Sequence, residues 1–171
     1  GYTESIYCIK DGIGFGSGTT ESVVHYTNYF DLRNLDSIDS TFKYDLPTGD
    51  NYTRLIWVLD NICVPSNDTS RKELLTKAGL DDSDFAGYKV SGKTDTDVRN
   101  DIIESIQQAA IWYYTNPSGE YHPTDSPVFY YSSSNTGTPT SVSNLDSSAD
   151  IVDDPVQTLY SYLVNGAKTG T

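Results

Sequence analysis

The chain has 171 residues, with 24 acidic and 11 basic side chains and a net charge of −13. This length fits one domain with a substantial core, and the acidity argues against nucleic acid or anionic membranes as partners. No apolar run is long enough to span a bilayer, so no membrane insertion is expected. The 14 tyrosines, the absence of methionine and the many small polar residues are typical of an extracellular domain rich in strands and loops.

The first part of the chain predicts strands. Residues 2–10 form a candidate strand that carries Cys8. The glycine-rich segment 11–18 lacks the spacing of a Walker or dinucleotide-binding loop and is interpreted as a turn. The β-branched and aromatic residues of 22–30, which include His25, predict a second strand.

A helix is predicted from about Asp50 to Cys63, ending near Pro65. The apolar residues of this segment fall on one helical face, which favours Cys63 as a small buried residue at the helix end. The two cysteines also allow the alternative of a single disulfide between Cys8 and Cys63.

The next segment predicts a short helix and an acidic turn. Ser70 opens a capping-box pattern, and the helix is expected to end near Gly79. The spacing of Asp82 and its acidic neighbours hints at a calcium loop, but Lys93 occupies the position where an EF-hand needs glutamate. A solvated acidic turn followed by a short strand over 87–92 is therefore predicted.

The strongest helical pattern runs from about Thr96 and ends at Asn116, before a proline. Gln108 and Trp112 lie one turn apart on a stripe beside the main apolar face. The last turns are apolar almost all the way round, which predicts burial on more than one side. The main face comprises Val98, Ile102, Ile106, Ala109 and Tyr113.

The last third of the chain predicts one strand at 127–133, a long polar loop and a final helix. Asp154 is the expected cap of this helix, Gly166 its end, and residues 167–171 a linker to a following domain. Its predicted buried stripe comprises Val156, Leu159, Tyr160 and Leu163.

Two short motifs, Tyr-Cys-Ile at residues 7–9 and Gln-x-Ala-Ile-Trp at residues 108–112, stand about a domain's length apart. Together they resemble the thioester domains of Gram-positive surface adhesins. In that family a cysteine and a glutamine side chain condense, release ammonia and leave an internal thioester. The family glutamine stands four residues before the tryptophan, which is Gln108 here. The preceding residue, Gln107, departs from the threonine or apolar residue expected there.

The resemblance implies an α+β fold: a β-sandwich or barrel-like core over residues 1–166, with an inserted helical lobe at about 50–116 and the thioester at their junction. It also implies a monomeric virulence-associated adhesin, held on the bacterial cell wall by segments outside these residues. Cys8 and Gln108 would capture an amine, expected to be a lysine, on a host surface protein of the fibrinogen-like class. Such a domain reacts once and is not an enzyme, and no metal or cofactor is expected.

The chemistry predicts supporting residues around the two motifs. A thioester must be kept from water, and the aromatic residues nearest in sequence are assigned to shielding: Tyr7, Trp112 and Tyr113. The two histidines, His25 and His122, are candidates for proton transfer near neutral pH. Asp101 and Glu104 share the helix side near Gln108 and are interpreted as solvated or capping charges.

Two other functions fit parts of the sequence. A non-covalent adhesin or carbohydrate-binding module would use the tyrosine-rich, acidic surface and would need no contact between Cys8 and Gln108. A cysteine hydrolase or acyltransferase would pair Cys8 with His25 or His122, although Cys8 does not stand at a predicted helix start.

Overall fold

The structure, a computed structural model, describes residues 47–90, 92–116 and 155–170, together with the backbone of two three-residue strands. The helices are α1 Asp50–Asn61, α2 Asp68–Lys77, α3 Asp95–Thr115 and α4 Pro155–Thr169, with a 3-10 turn over Asp82–Phe85. The strands β1 Phe129–Tyr131 and β2 Thr140–Val142 pair antiparallel, with Tyr130 opposite Ser141. The predicted strands at 2–10 and 22–30 lie outside the described residues.

The core forms where α1, α3 and α4 pack against one another. Each of the outer helices, α1 and α4, turns an apolar stripe towards α3, whose last turns are apolar on most sides. Burial of each large aliphatic side chain contributes about 1.5–3 kcal/mol to stability. No helix among these elements is both long and apolar enough to cross a membrane. The fully buried aliphatic side chains include Leu55, Ile102, Ile103, Ile106, Leu159 and Leu163.

The predicted β-sandwich or barrel-like core is wrong for the part of the chain that the structure describes. That part is a small helical domain, and its only sheet is the two-stranded pair of β1 and β2. The apolar stripes of α1 and α4 are covered by α3 rather than by a sheet, because three helices suffice to bury one another. The helical core also includes α4, which lies beyond the predicted lobe of residues 50–116.

The ends of α1 and α3 confirm the sequence prediction to within two residues. α3 begins at a reciprocal capping box, in which Thr94 Oγ1 accepts a hydrogen bond from the Asp97 amide and the Asp97 carboxylate accepts one from the Thr94 amide. The helix ends at Thr115, before Asn116, whose extended backbone fits the proline that follows.

The predicted start of α2 at Ser70 is wrong. The helix begins at Asp68, because the Asn67 side chain accepts hydrogen bonds from the amides of Thr69 and Ser70, both at 3.1 Å. Its end agrees with the prediction: Gly79 has a φ of +76°, and the Leu80 amide donates to the Leu75 carbonyl at 2.8 Å.

Residues 87–92 do not form the predicted strand where the structure describes them. The Tyr88 amide donates to the Phe85 carbonyl and the Lys93 amide to the Val90 carbonyl, so two successive turns occupy the segment. Gly92, with a φ of +82°, closes the second turn.

α4 confirms the predicted buried stripe but not the predicted end. Val156, Leu159, Tyr160 and Leu163 are all buried. The helix continues past Gly166 to Thr169 and ends before Gly170, whose φ is +69°. Ala167 is buried, so the residues assigned to a linker begin inside the last helical turn. Asp154, the predicted cap, lies outside the described residues.

A buried arginine holds α2 to the acidic turn. Arg71 is 2% exposed and makes a bidentate pair with the Asp82 carboxylate, at 2.8 and 3.0 Å. It also donates to the Pro65 carbonyl at 2.8 Å and pairs with Asp68 at 2.8 Å. Asp82 additionally lies 3.3 Å from Arg99 of α3. The acidic turn therefore joins two arginines rather than standing as a solvated loop.

Candidate functional site

α3 is covered on its predicted face and on part of its opposite side. Four of the five residues predicted to form the apolar face are buried, and Tyr113 is half-buried. Gln107, Ile111 and Tyr114, which lie further round the helix, are buried as well. The predicted burial on more than one side is therefore confirmed.

Of the two adjacent glutamines on α3, Gln107 and Gln108, Gln107 is the one that is fully buried. Its Oε1 atom accepts a hydrogen bond from the Cys63 amide at 2.7 Å, and its Nε2 atom donates to the Cys63 carbonyl at 3.2 Å. The side chain thus satisfies both backbone groups of Cys63, the residue that follows the C-cap of α1. It ties α3 to α1 across 44 positions of the sequence.

Gln108 lies on the least covered stripe of α3. It is half-buried, and so is Trp112, one turn further along. The indole Nε1 of Trp112 is nevertheless buried, with no hydrogen-bond partner within the described part of the chain. Thr115, on the same stripe, has a buried Oγ1 that also lacks one there. Polar atoms therefore cluster on the stripe that carries the motif glutamine.

Two acidic residues precede Gln108 on this side of α3. Asp101 pairs with Lys93, which fits its interpretation as a solvated charge. Glu104, one turn before Gln108, is exposed, but partial desolvation and then the nearby Asp101 charge raise the pKa of its carboxyl. Glu104 is therefore protonated more readily than an ordinary surface glutamate.

Tyr113 does not lie with Gln108. Five residues along a helix correspond to a rotation of about 140° around its axis. Tyr113 accordingly faces α4, with its ring 6.5 Å from that of Tyr160 and the Lys168 Nζ atom 4.7 Å from its centroid. Among the assigned shielding residues, only Trp112 is described on the stripe of Gln108.

Cys63 is a buried thiol directly after the cap of α1, which confirms its predicted position at a helix end. Burial raises the pKa of its thiol to about 12, against a smaller opposing effect of the Arg71 charge. The thiol is therefore almost entirely protonated near neutral pH and is a poor nucleophile. The other predicted site residues, Cys8, Tyr7, His25 and His122, lie outside the described residues.

Two buried polar residues that hold the helical domain together were missed by sequence reasoning. Gln107 was treated as a departure from a motif, although a glutamine on the apolar side of a long helix is itself a signal that its amide has a buried partner. Arg71 can pair with Asp68 within α2, but its bidentate partner Asp82 becomes a neighbour only when α2 and the acidic turn pack together, which the sequence does not signal.

Within the described ranges, no group of three or more His, Cys, Asp or Glu side chains is placed to hold a metal ion. Comparison of the chain with protein-family models, curated proteins and solved structures finds no match.

Proposed function

We propose that this chain is a surface adhesin domain that stores an internal thioester between Cys8 and Gln108. The thioester would react once with an amine, expected to be a lysine on a host extracellular protein of the fibrinogen-like class. The proposal rests on the two short motifs and on the different environments of the two adjacent glutamines. It includes a location on the bacterial cell wall, which fits the acidic and tyrosine-rich composition.

The observation that carries the proposal is the separation of Gln107 from Gln108. Both ends of the Gln107 amide are hydrogen-bonded to the Cys63 backbone at the buried junction of α1 and α3. An attacking sulfur would have to break both bonds and enter the core. Gln108, about 100° further round the helix, lies on the half-buried stripe at the edge of the core.

The sulfur assignment is supported by exclusion of the second thiol. A thiolate is the nucleophile in acyl transfer, and the pKa of Cys63 is raised to about 12. The Cys63 backbone lies against Gln107 rather than against the motif glutamine. Cys8 is therefore the better candidate for the sulfur that attacks the carboxamide.

The chemistry balances without any cofactor. In thioester formation the Cys8 sulfur bonds to the side-chain carbonyl carbon of Gln108 as the carbon–nitrogen bond breaks. The thiol proton leaves with that nitrogen, so the products are the thioester and ammonia. In capture, an amine nitrogen bonds to the same carbon, the carbon–sulfur bond breaks, and one amine proton ends on the Cys8 sulfur.

Intact mass spectrometry tests the proposal directly. The freshly purified protein should be lighter than its sequence by one ammonia, and methylamine should then add one molecule to it. Peptide mapping of the methylamine product should place the modification on residue 108. Incubation with fibrinogen should give a band that survives denaturation and reduction.

Two variants test whether the mass deficit and the amine capture depend on Cys8 and Gln108. Cys8→Ser and Gln108→Glu, which nearly preserve side-chain size, should show the full sequence mass and capture no amine. A mass deficit that persists in either variant, or a methylamine adduct on residue 107, would disprove the assignment. A deficit of two hydrogens that reductant restores would instead identify a disulfide, and full mass with carbohydrate binding would favour the non-covalent adhesin.

A further inference from the structure

The indole N–H of Trp112 is a buried hydrogen-bond donor with no acceptor among the described residues. Native proteins satisfy nearly all buried donors, and an exception calls for a physical explanation. The side chain as a whole is half-buried, whereas its Nε1 atom is buried. A role in packing alone would explain the ring but not a buried N–H without an acceptor.

The position of Trp112 relative to Gln108 offers that explanation. Residues four apart on a helix have their Cβ atoms about 5–6 Å apart, on the same stripe. Long helical side chains lean towards the helix N-terminus, so the Trp112 ring extends over the turn that contains Gln108. Both side chains therefore lie on one stripe of α3, and no hydrogen bond joins the Trp112 Nε1 atom to Gln108 in this structure.

We infer that Trp112 Nε1–H stabilises the oxyanion that forms on the side-chain carbonyl oxygen of residue 108. The inference rests on the proposed thioester and adds a donor for its two acyl-transfer steps. A donor left unused in the ground state and engaged as charge develops lowers the barrier without stabilising the reactant. The shielding role assigned to the ring by sequence is compatible with it.

The proton balance leaves the indole unchanged. When the Cys8 sulfur attacks, the carbonyl π electrons move to the oxygen, and the N–H donates a hydrogen bond to that oxygen. Collapse of the intermediate restores the carbonyl and expels ammonia. The same oxygen becomes anionic again when an amine attacks the thioester, and collapse then expels the Cys8 thiolate, which takes a proton from the amine.

The test compares the rate of methylamine capture in two variants at residue 112. Trp112→Phe keeps an aromatic ring without the N–H. Replacement of Trp112 by 3-benzothienylalanine keeps the fused-ring shape, with sulfur in place of the N–H. Each should slow capture about a hundredfold, the scale for loss of one oxyanion donor. Thioester formation after synthesis should slow as well. A smaller share of the freshly purified molecules should therefore be lighter than the sequence by one ammonia, which is the ammonia deficit.

The matched control is Thr115→Val. Thr115 Oγ1 is also buried and has no hydrogen-bond partner among the described residues, and it lies on the same stripe about two turns from Gln108. It should leave capture unchanged. Wild-type rates in the benzothienyl protein would overturn the inference, even if Trp112→Phe fails to fold. If wild-type protein shows no ammonia deficit, the proposed thioester fails. A normal deficit with normal rates in the benzothienyl protein removes only the oxyanion role.

Discussion

Adjacent residues of the same type have different uses on α3. Gln107 and Gln108 differ by about 100° around the helix axis, which is enough to send one amide into the core and leave the other at its boundary. The Gln107 amide pairs with the Cys63 backbone as a neighbouring peptide group would, because it supplies one acceptor and one donor. Its contribution is structural and can be measured apart from any covalent chemistry.

Gln107→Leu should lower the free energy of unfolding by about 1–3 kcal/mol, because it leaves the buried amide and carbonyl of Cys63 without partners. Chemical denaturation at neutral pH measures this directly. The measurement is made in the Cys8→Ser background, where no thioester can contribute.

Gln107→Glu in the same background provides a pH test of the same contact. A protonated glutamic acid can accept from the Cys63 amide and donate to its carbonyl, whereas a carboxylate would be a buried charge. Burial should raise the folded pKa above the unfolded value of about 4.3. Stability should therefore be greatest below that pH and fall as pH rises towards the folded pKa. A flat profile would show that residue 107 is not buried against Cys63.

Arg71→Met should destabilise the chain by about 3 kcal/mol, because it removes a buried arginine and leaves the Pro65 carbonyl without its donor and Asp82 with Arg99 alone. The hydrogen bond from Arg71 lowers the pKa of Asp82, so the stability that it provides is full above about pH 4 and is lost as pH falls through the folded pKa. The difference between wild type and variant should therefore shrink in acid.

Arg54→Met is the matched control for Arg71. Arg54 lies on α1, with its side chain 34% exposed, and approaches Asp50 at 3.9 Å. An exposed pair of this kind contributes about 1 kcal/mol or less. Equal losses in the two variants, or a loss at Arg71 that does not change with pH, would contradict the role of the buried pair.

At the scale of elements, α1 and α4 pack closely where α4 has a glycine, Gly166. The Trp57 ring of α1 packs 6.0 Å from that of Tyr162 and lies over Gly166 of α4. A Cβ atom built at residue 166 would stand 2.4 Å from Trp57 Cη2. Gly166 therefore permits close approach of the two helices, although glycine within a helix costs about 1 kcal/mol relative to alanine.

Gly166→Ala should destabilise the chain by about 1–3 kcal/mol, because overpacking against Trp57 outweighs the gain in helix propensity. The loss should be smaller in a Trp57→Phe background, where Cη2 is absent, so the two substitutions should be non-additive in a double-mutant cycle. Gly87→Ala, with open space around the new methyl group, should be nearly neutral. Additive losses would show that Trp57 does not limit this position.

The same elements show what could be read from the sequence. The periodicity of α3 and α4 identified their buried faces, because long amphipathic helices bury the residues that their period places together. For α1 it identified Leu55 but missed Val58, which is also fully buried. The start of α2 was misplaced because Asn67 caps it before the Ser70 pattern begins. The end of α4 was misplaced because Gly166 serves a tertiary contact with Trp57 rather than a helix end.

The error in fold class has a different origin. The β-sandwich came from a family resemblance carried by a few residues, and local motifs do not determine how a core is built. Within the described residues, α3 is covered by two helices and fixed to α1 by Gln107, contacts that join positions far apart in the chain. The placement of Gln108 at the edge of that core depends on these long-range contacts, so periodicity alone could identify its stripe but not its degree of burial.

At the scale of the whole molecule, the proposed crosslink would close a loop of about 100 residues, which in a chain-entropy treatment contributes about 4–5 kcal/mol. The loop would contain α1, α2 and most of α3, and would leave α4 outside it. Opening by an amine would therefore remove this loop constraint, while the packing of α1, α3 and α4 would remain. The covalent and non-covalent contributions to stability would thus be separable.

At the same scale, the number of cysteine thiols that react with iodoacetamide tests whether the proposed bond is present. Native protein at pH 8 should take up no iodoacetamide, because Cys8 would be acylated and the Cys63 thiol, whose pKa burial raises to about 12, is buried and protonated. After methylamine it should take up one label, on Cys8, and denaturant should then expose Cys63 to a second. The Cys63→Ala protein should follow the same course without the final label. If Cys8 were labelled before methylamine, the bond would be absent. A chain that took up label only after reductant would hold a disulfide instead, since reduction releases two thiols and methylamine releases none.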